Sequence, residues 1–540
     1  MPEHARSMIL CAALLVAHAC AADAQPPISA DQLFALADRC MACHNGLVDP
    51  AGADVAIGSN WRASMMAHSA RDPYWQASVR REVLDHPSAR DAIEDECAIC
   101  HMPMAGHPAR ASGRKGEVFR HLPVAAAANP IAQLAVAGVS CTACHQITDD
   151  KLGTRESFVG RFTIDTATPL GQRKAFGPFE IDRGRETLMR SASRFVPSQA
   201  DHIQGSELCA TCHTLYTHSL DSTGAVIDEL PEQVPYLEWR HSDYLDVASC
   251  QSCHMPDVPG EMPISGVLGQ PRRGLSRHTF DGGNFFMPRV LSRYAADLFP
   301  QAPPAELELA VRRTVEHLQT SGAEIHIEGA TVGDGRLLID VTVRNLAGHK
   351  LPTAYPSRRA WVRIGVRDDD AGMLLTCGDP AADGAITGND NDADPLRYEP
   401  HYAEIASPDQ VQIYEAIMAD PDGDVTTGLL TAVRFVKDNR LLPSGFDKAT
   451  AGEDIAVRGD AAADADFQGG SDTVRYAVPL GGADGPFTVE AELWYQPIAY
   501  RWAHNLAEYP ADEPARFVAY YRSLSASSTI LLARDTLRTQ

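Results

Sequence analysis

Positive charge is scarce in this chain. Its 540 residues carry 47 Lys and Arg against 71 Asp and Glu, a net of −24. Such a deficit argues against nucleic acid as a partner and against an anionic membrane surface. Long apolar runs are missing too. Beyond the N-terminus no stretch reaches the ~18 residues that a bilayer span needs, which sets a transmembrane span aside. Low-complexity tracts are also lacking, and 44% hydrophobic with 22% charged residues is a globular composition. Such a length has room for about two to four domains and at least one large core.

What is present begins with MPEHARSMILCAALLVAHACAADAQ. Arg6 lies in a short polar start, an apolar run follows from Met8 to Ala17, and Ala22 and Ala24 put small residues before Gln25. This is the form of a secretory signal peptide over residues 1–24. Ala17-His18-Ala19 before Cys20 is a poor lipoprotein signal. The mature protein is expected to be exported, to the periplasm or outside the cell.

The chain has 13 cysteines, of which Cys11 and Cys20 fall in the leader and Cys377 stands alone. The other ten form five pairs: Cys40 and Cys43, Cys97 and Cys100, Cys141 and Cys144, Cys209 and Cys212, Cys250 and Cys253. Each pair has a two-residue gap, and each is followed at once by a histidine: His44, His101, His145, His213 and His254. One C-x-x-C is ambiguous between a redox dithiol and half a zinc site. Zinc does not require a histidine at the next position, and a disulfide would close a very small loop. Five repeats with an adjacent His fit covalent haem c best. Two thiols add to the two vinyl groups of one porphyrin, and the following His takes one axial site of the iron. Five covalent haems are expected, with these histidines as proximal ligands.

Distal ligands are harder to read. The supply of further histidines favours bis-His irons of low potential over Met-ligated ones. His68, in SMMAHSARDPYW, lies far from its nearest motif; His202 precedes Cys209; His278 sits in the glycine-bearing RHTFDGGNFFMP; His107 and His121 follow the second motif. His349, in AGHKLPTAYPSRRAW, could reach across from the second half, and Lys350, Arg358 and Arg359 could bind haem propionates. These six histidines are the distal candidates. The stretch TGNDNDADP, Thr387–Pro395, offers a calcium site, with a solvated loop as the plainer reading.

The motifs fall within residues 25–300, among short helices such as Ala30–Ala37 and Pro73–Leu84 and loops rich in Gly and Pro. The segment 301–322 contains a linking helix, Pro303–Thr320, with Leu307, Leu309, Val311, Val315 and Leu318 as its apolar face. From Ala323 the period changes to two, and 34 acids face 19 bases. Stretches 324–332, 336–346, 360–369, 431–439, 472–480 and 487–496 read as strands, and Glu513–Leu524 as a last helix. The expected fold class is α+β: a mainly helical and irregular multihaem cytochrome c domain, 25–300, then a β-sandwich-like domain, 323–540, with a terminal helix.

Several strings carry a resemblance: SMMAHSARDP, ECAICHMPM, GVSCTACHQI, LCATCHTLYT, EQVPYLEW, CQSCHMP, HTFDGGNFFM and AGHKLPTAYPSRRAW. On these the chain resembles bacterial multihaem cytochromes c of the cytochrome c-552/c-554-like type with a C-terminal β-domain. The resemblance implies periplasmic or extracellular electron transfer, mostly bis-His ligation and closely packed haem pairs. It does not imply one reaction. No C-x-x-C-Lys variant is present, which counts against pentahaem nitrite reductases. The leading expectation is an electron carrier whose partners are redox proteins, other cytochromes or quinol-linked reductases. The alternative is a reductase of nitrogen or sulfur compounds with one open haem, Tyr216, His218 and Arg277 being candidate proton donors. A third reading, compatible with the first, is a subunit of an oligomeric or filamentous electron conduit.

Overall fold

The computed structural model describes residues 30–539 apart from 371. The stretch expected to be a signal peptide, with Cys11 and Cys20, lies outside the described residues. The fold is α+β.

The first half is built of short helices that begin where the sequence removes an N–H or supplies a cap. Pro73–Asp85 starts on a proline, and the Asp72 carboxylate accepts from Tyr74 N and Trp75 N. Pro130–Val136 likewise starts on Pro, with Asn129 capping Ala132 N. Four of the five motifs close a helix or form one: Arg90–His101, Cys141–Cys144, Ser206–His213 and Cys250–His254. The first motif overlaps the turn Asp38–Met41. In a helix, positions i, i+3 and i+4 share a face. Two thiols and the following imidazole are therefore presented together.

The linking helix runs Pro304–Ser321 and buries Leu307, Ala310, Val311, Thr314 and Leu318. Leu309, expected on the apolar face, is 38% exposed instead. It lies two positions from Leu307, on the far side of a helix of 3.6 residues per turn.

The second half is a sandwich of two sheets. In one, Ala323–Gly333, Arg336–Asn345, Ser471–Pro479 and Glu404–Ile405 lie side by side, and Leu337, Ile339, Val341 and Val343 are fully buried at alternate positions. In the other, Arg359–Arg367 pairs with Met373–Cys377, Ile413–Tyr414 and Thr488–Gln496, and the last of these pairs with Ile530–Arg538. Inward residues of both sheets join one hydrophobic cluster. The expected strand 431–439 shortens to Arg434–Asp438 and belongs to a separate three-stranded sheet. The final strand, Ile530–Arg538, follows the terminal helix Asp512–Leu524.

The halves interlock. The terminal helix lies along Pro73–Asp85, where Arg80 makes a bidentate pair with Glu513 at 2.9 Å and the Phe517 ring meets Tyr74 at 5.0 Å. The large cluster also takes in Tyr74, Phe158, Tyr216 and Phe286 from the first half.

Candidate functional site

The first half wraps a continuous cavity of about 920 Å³. All five motifs reach its wall, and of their cysteines and histidines only Cys43 stays off it. Free thiols of different motifs approach one another. Cys40 lies within hydrogen-bonding reach of Cys141, Cys100 of Cys212, and Cys209 of Cys250. Cys144 also feels the charge of Cys212. The fourth motif thus neighbours the second, third and fifth, and the first joins through the third.

The imidazoles are held as metal ligands need to be. Nδ1 of His44 bonds the Ile264 carbonyl at 2.7 Å, His101 that of Ser69 at 3.0 Å, His145 that of Phe176 at 2.6 Å and His254 that of Asp281 at 2.5 Å. A carbonyl accepts only, so each Nδ1 carries the proton and each Nε2 keeps its lone pair for iron. Burial lowers His101 and His213 to about 4, so both rings are neutral at pH 7.

Two more histidines repeat this arrangement opposite a motif. His278 bonds the Ser276 carbonyl through Nδ1 at 3.0 Å, and its ring stands 6.3 Å from that of His145 with 16° between planes. His349 bonds the Lys350 carbonyl at 2.9 Å and stands 6.1 Å from His254 at 7°. Two imidazoles bound to one metal through bonds of about 2 Å have centroids about 6 Å apart. Both pairs fit one iron between them. Burial lowers His278 and His349 to about 4, the neutral ligating form.

The other distal candidates are placed elsewhere; none of His68, His107, His121 and His202 lines the cavity. His68 is fully buried, but its Nε2 accepts from Gln301 N at 3.0 Å while Nδ1 bonds the Ser64 carbonyl, so no lone pair is left. His202 bonds the Ile147 carbonyl through Nε2 at 2.8 Å. His107 stacks on Phe162 at 5.4 Å. His121 closes a half-buried turn, Phe119–His121. Of the candidate proton donors, Tyr216 lines the cavity while its hydroxyl donates to Asp454, His218 pairs with Glu96 and Arg277 with Asp49.

His317 was not among the expected ligands. It lines the cavity and stands 5.7 Å from His254 at 56°. Its signal was present: Ala310, Thr314, His317 and Ser321 recur at helical spacing on the linking helix, and all four face the cavity. A strip of small residues with one imidazole leaves room for a bulky group.

The loop that carries His349 is clamped by both halves. The Glu238 carboxylate, from the helix Pro235–Arg240, accepts from Lys350 N at 3.1 Å and from the Thr353 hydroxyl. The Lys350 ammonium is fully buried on Asp438 at 2.7 Å, and Arg440 bridges Asp438 and Glu238. Lys350 and Arg359 therefore do not reach the cavity as propionate ligands. Arg359 is buried on Asp392 at 2.8 Å, and only Arg358 of the three lines the wall.

Two acidic clusters lie apart. In Thr387–Pro395 the carboxylates face protein partners: Asp390 pairs with Arg397, Asp392 with Arg359 and Ile386 N, and Asp394 accepts from Leu396 N. They do not converge on a calcium site. In the sandwich, His401 Nε2 lies 3.3 Å from Asp464 and 3.8 Å from Asp472. Its Nδ1 accepts from the amides of Gln412 at 2.9 Å and Asn439 at 3.1 Å. Both amides are oriented by backbone N–H groups, of Tyr402 and Glu415. The neutral ring therefore carries its proton on Nε2, between two carboxylates. A proton stands where a cation would need a lone pair.

Comparison with known proteins adds the fold. No family model matches the chain, and no curated protein matches it in sequence. Its structure is similar to that of a penta-heme cytochrome c552 from Thermochromatium tepidum. The TM-score is 0.54 at 16% identity, over 94% of this chain and 99% of the other. At that identity the likeness is one of fold. The alignment spans nearly the whole length of both chains.

Proposed function

We propose that this chain is an exported pentahaem c-type cytochrome that carries electrons along a row of haems, several of them bis-His ligated. When bound, haem supplies an iron that cycles between ferric and ferrous states. The chain's own residues do the rest. Paired cysteines anchor each group, Nδ1–H bonds aim four of the five proximal imidazoles, and His278 and His349 fill the sites facing His145 and His254. The apolar wall excludes water and keeps His278 and His349 neutral. The proposed chain of contacts runs from the first motif to the third and fourth, with branches to the second and fifth. The observation that carries this reading is the pair of facing imidazoles, each about 6 Å apart across one shared cavity. The likeness to the penta-heme protein supports it.

A second reading has one observation of its own. The Tyr74 hydroxyl is buried on the cavity wall near the hydroxyls of Ser357 and Tyr355, with neither in good hydrogen-bond geometry. His101, close by, stacks on Trp75 at 4.4 Å rather than facing another imidazole. An open iron beside a phenol would suit reduction of a small nitrogen or sulfur compound.

Low-temperature EPR of the oxidised protein, quantified per haem, separates the two. Five low-spin ferric irons support the carrier. About one high-spin iron in five supports the reductase, and nitrite, hydroxylamine and tetrathionate become the substrates to screen. Fewer than five haems per chain by pyridine haemochrome would overturn the pentahaem assignment itself.

A further inference from the structure

The helix Arg183–Ser193 covers the cavity with one face. Met189 and Ser193, one turn apart, line its wall, as do the flanking Ile181 and Phe195. The flank about 100° round the helix from these two residues is basic. Arg183, Arg190 and Arg194 are exposed and spaced by seven and four residues, so they form one stripe. Arg183 and Arg194 make no side-chain hydrogen bond or ion pair with any described residue, and Arg190 only reaches the Gly171 carbonyl. Exposed Lys174 lies beside the stripe, on the strand paired with Val196–Gln199. Arg185 reaches the Leu268 carbonyl, which brings the loop holding exposed Arg273 alongside. From Thr168 to Val196 the chain has six basic residues and three acidic, against a net of −24 overall.

A basic stripe in so acidic a molecule, on the flank of a helix whose neighbouring residues line the cavity, has a consequence for recognition. We infer that the basic flank of Arg183–Ser193 is the docking surface for an acidic electron-transfer protein. The inference rests on the electron-carrier reading. Elsewhere the molecule's negative charge repels such a partner. The stripe is where it can approach, and its charge steers the encounter toward the thin wall. With haem bound behind the helix, one electron would pass from the reduced partner to one ferric iron, and the loss of that electron would leave the partner oxidised.

The test uses the full-length holoprotein and, as probe, a reduced acidic [2Fe–2S] ferredoxin in stopped flow at low ionic strength. A basic monohaem cytochrome c is the contrasting probe. The triple variant Arg183→Glu, Arg190→Glu, Arg194→Glu is compared with Arg312→Glu, Arg344→Glu, Arg434→Glu, which changes net charge equally at exposed sites elsewhere. The stripe variant is expected to slow reduction by ferredoxin about tenfold and to flatten its salt dependence. The control should stay within about twofold, and the basic cytochrome should not be slowed by the stripe variant. Should the Glu variant lose haem, the Gln triple at the same positions takes its place, with a loss of about threefold expected. Equal slowing by stripe and control variants overturns the inference, since net charge alone would then explain it. So does a wild type that ferredoxin cannot reduce although dithionite reduces all its haems; that result leaves the carrier reading standing. Haems that dithionite reduces but that pass no electron to any protein acceptor would instead sink the carrier reading.

Discussion

The two halves of this molecule solve the same problem by different means. In the sandwich, side chains fill the interior. Leu337, Ile339, Val341 and Val343 meet Val489, Ala491 and Leu493 with no exposure at all, and one cluster takes in both sheets. Around the motifs the apolar residues break into several small clusters set about a cavity. A chain that leaves its centre open cannot offset the conformational entropy of ordering it. The first half therefore depends on what fills the cavity, whereas the second carries its own stability. The interlocked terminal helix then lends the first half a rigid wall.

The sharpest way to break this contrast is at the most connected motif. Replacing Cys209 and Cys212 by serine removes the anchors of the group that neighbours three others. The expected outcome is collapse of the whole first half: haem per chain falling well below four, and rapid trypsin cleavage between residues 30 and 300. The same change at Cys40 and Cys43, at the end of the row, should cost one haem and leave the rest. If both variants lose one haem alike, the motifs are independent and the contrast fails. Next in size is Lys350→Ala. It leaves Asp438 and Arg440 with a broken buried network, for which about 3–5 kcal/mol is expected. Because the buried Lys350 ammonium ties the loop of His349 to Asp438, the variant should also alter the low-spin EPR signal of one iron. A stability loss with an unchanged spectrum would mean that this ion pair does not position His349.

How much of this was legible beforehand differs between the halves for physical reasons. The five motifs could be read because covalent attachment demands fixed spacing, and helix geometry then delivers each set to one face. The sandwich strands could be read because alternation at period two survives in one sheet face, as in Arg336–Asn345. Distal ligands were legible only in part: His278 and His349 stood among six candidates, but an axial imidazole needs only to arrive from the right direction, and any segment can bring it. His68 has the burial of a ligand, yet Gln301 N takes its lone pair. His317 reads as a helix surface residue until Ala310, Thr314 and Ser321 are seen to leave space beside it. Lys350 and Arg359 looked like propionate partners by charge and proximity to His349. Each is instead matched to an acid, Asp438 or Asp392, that is remote in sequence. The strand Arg434–Asp438 had the right pattern but the wrong sheet, since alternation does not name the neighbour.

A smaller effect concerns charge inside the sandwich. Burial lowers His401 to about 4 from the ordinary 6.5 and raises Asp472 to about 7 from 3.8. Between pH 6.5 and about 4 the unfolded chain protonates His401 and the folded one does not, so this group lowers stability as pH falls. Asp472 acts oppositely. Folded, it holds its proton up to about pH 7, so its contribution is full below pH 3.8 and is lost as pH rises through 7. The two slopes oppose each other, and the sandwich should be nearly pH-insensitive in this window. Asp472→Asn, which can still accept from Tyr414, removes one slope. Denaturant titrations should then show stability falling by about 3 kcal/mol from pH 6.5 to 4. A flat profile in the variant would mean that His401 is already protonated when folded.

The finest test compares one methylene in each half. Ile339 is fully buried in the sandwich and paired with Tyr476, and Ile93 is 3% exposed on the cavity wall. Ile339→Val should cost about 1 kcal/mol, read as a lower denaturant midpoint with unchanged m-value and unchanged haem spectrum. Ile93→Val removes the same group beside the proposed haem, where thioether anchoring and not packing would set the position. Its cost should be under about half of that, with the change appearing instead in the Soret band of one haem. Equal losses at the two sites would mean that both halves are held by the same close packing, and the difference between a filled core and a lined cavity would not govern stability.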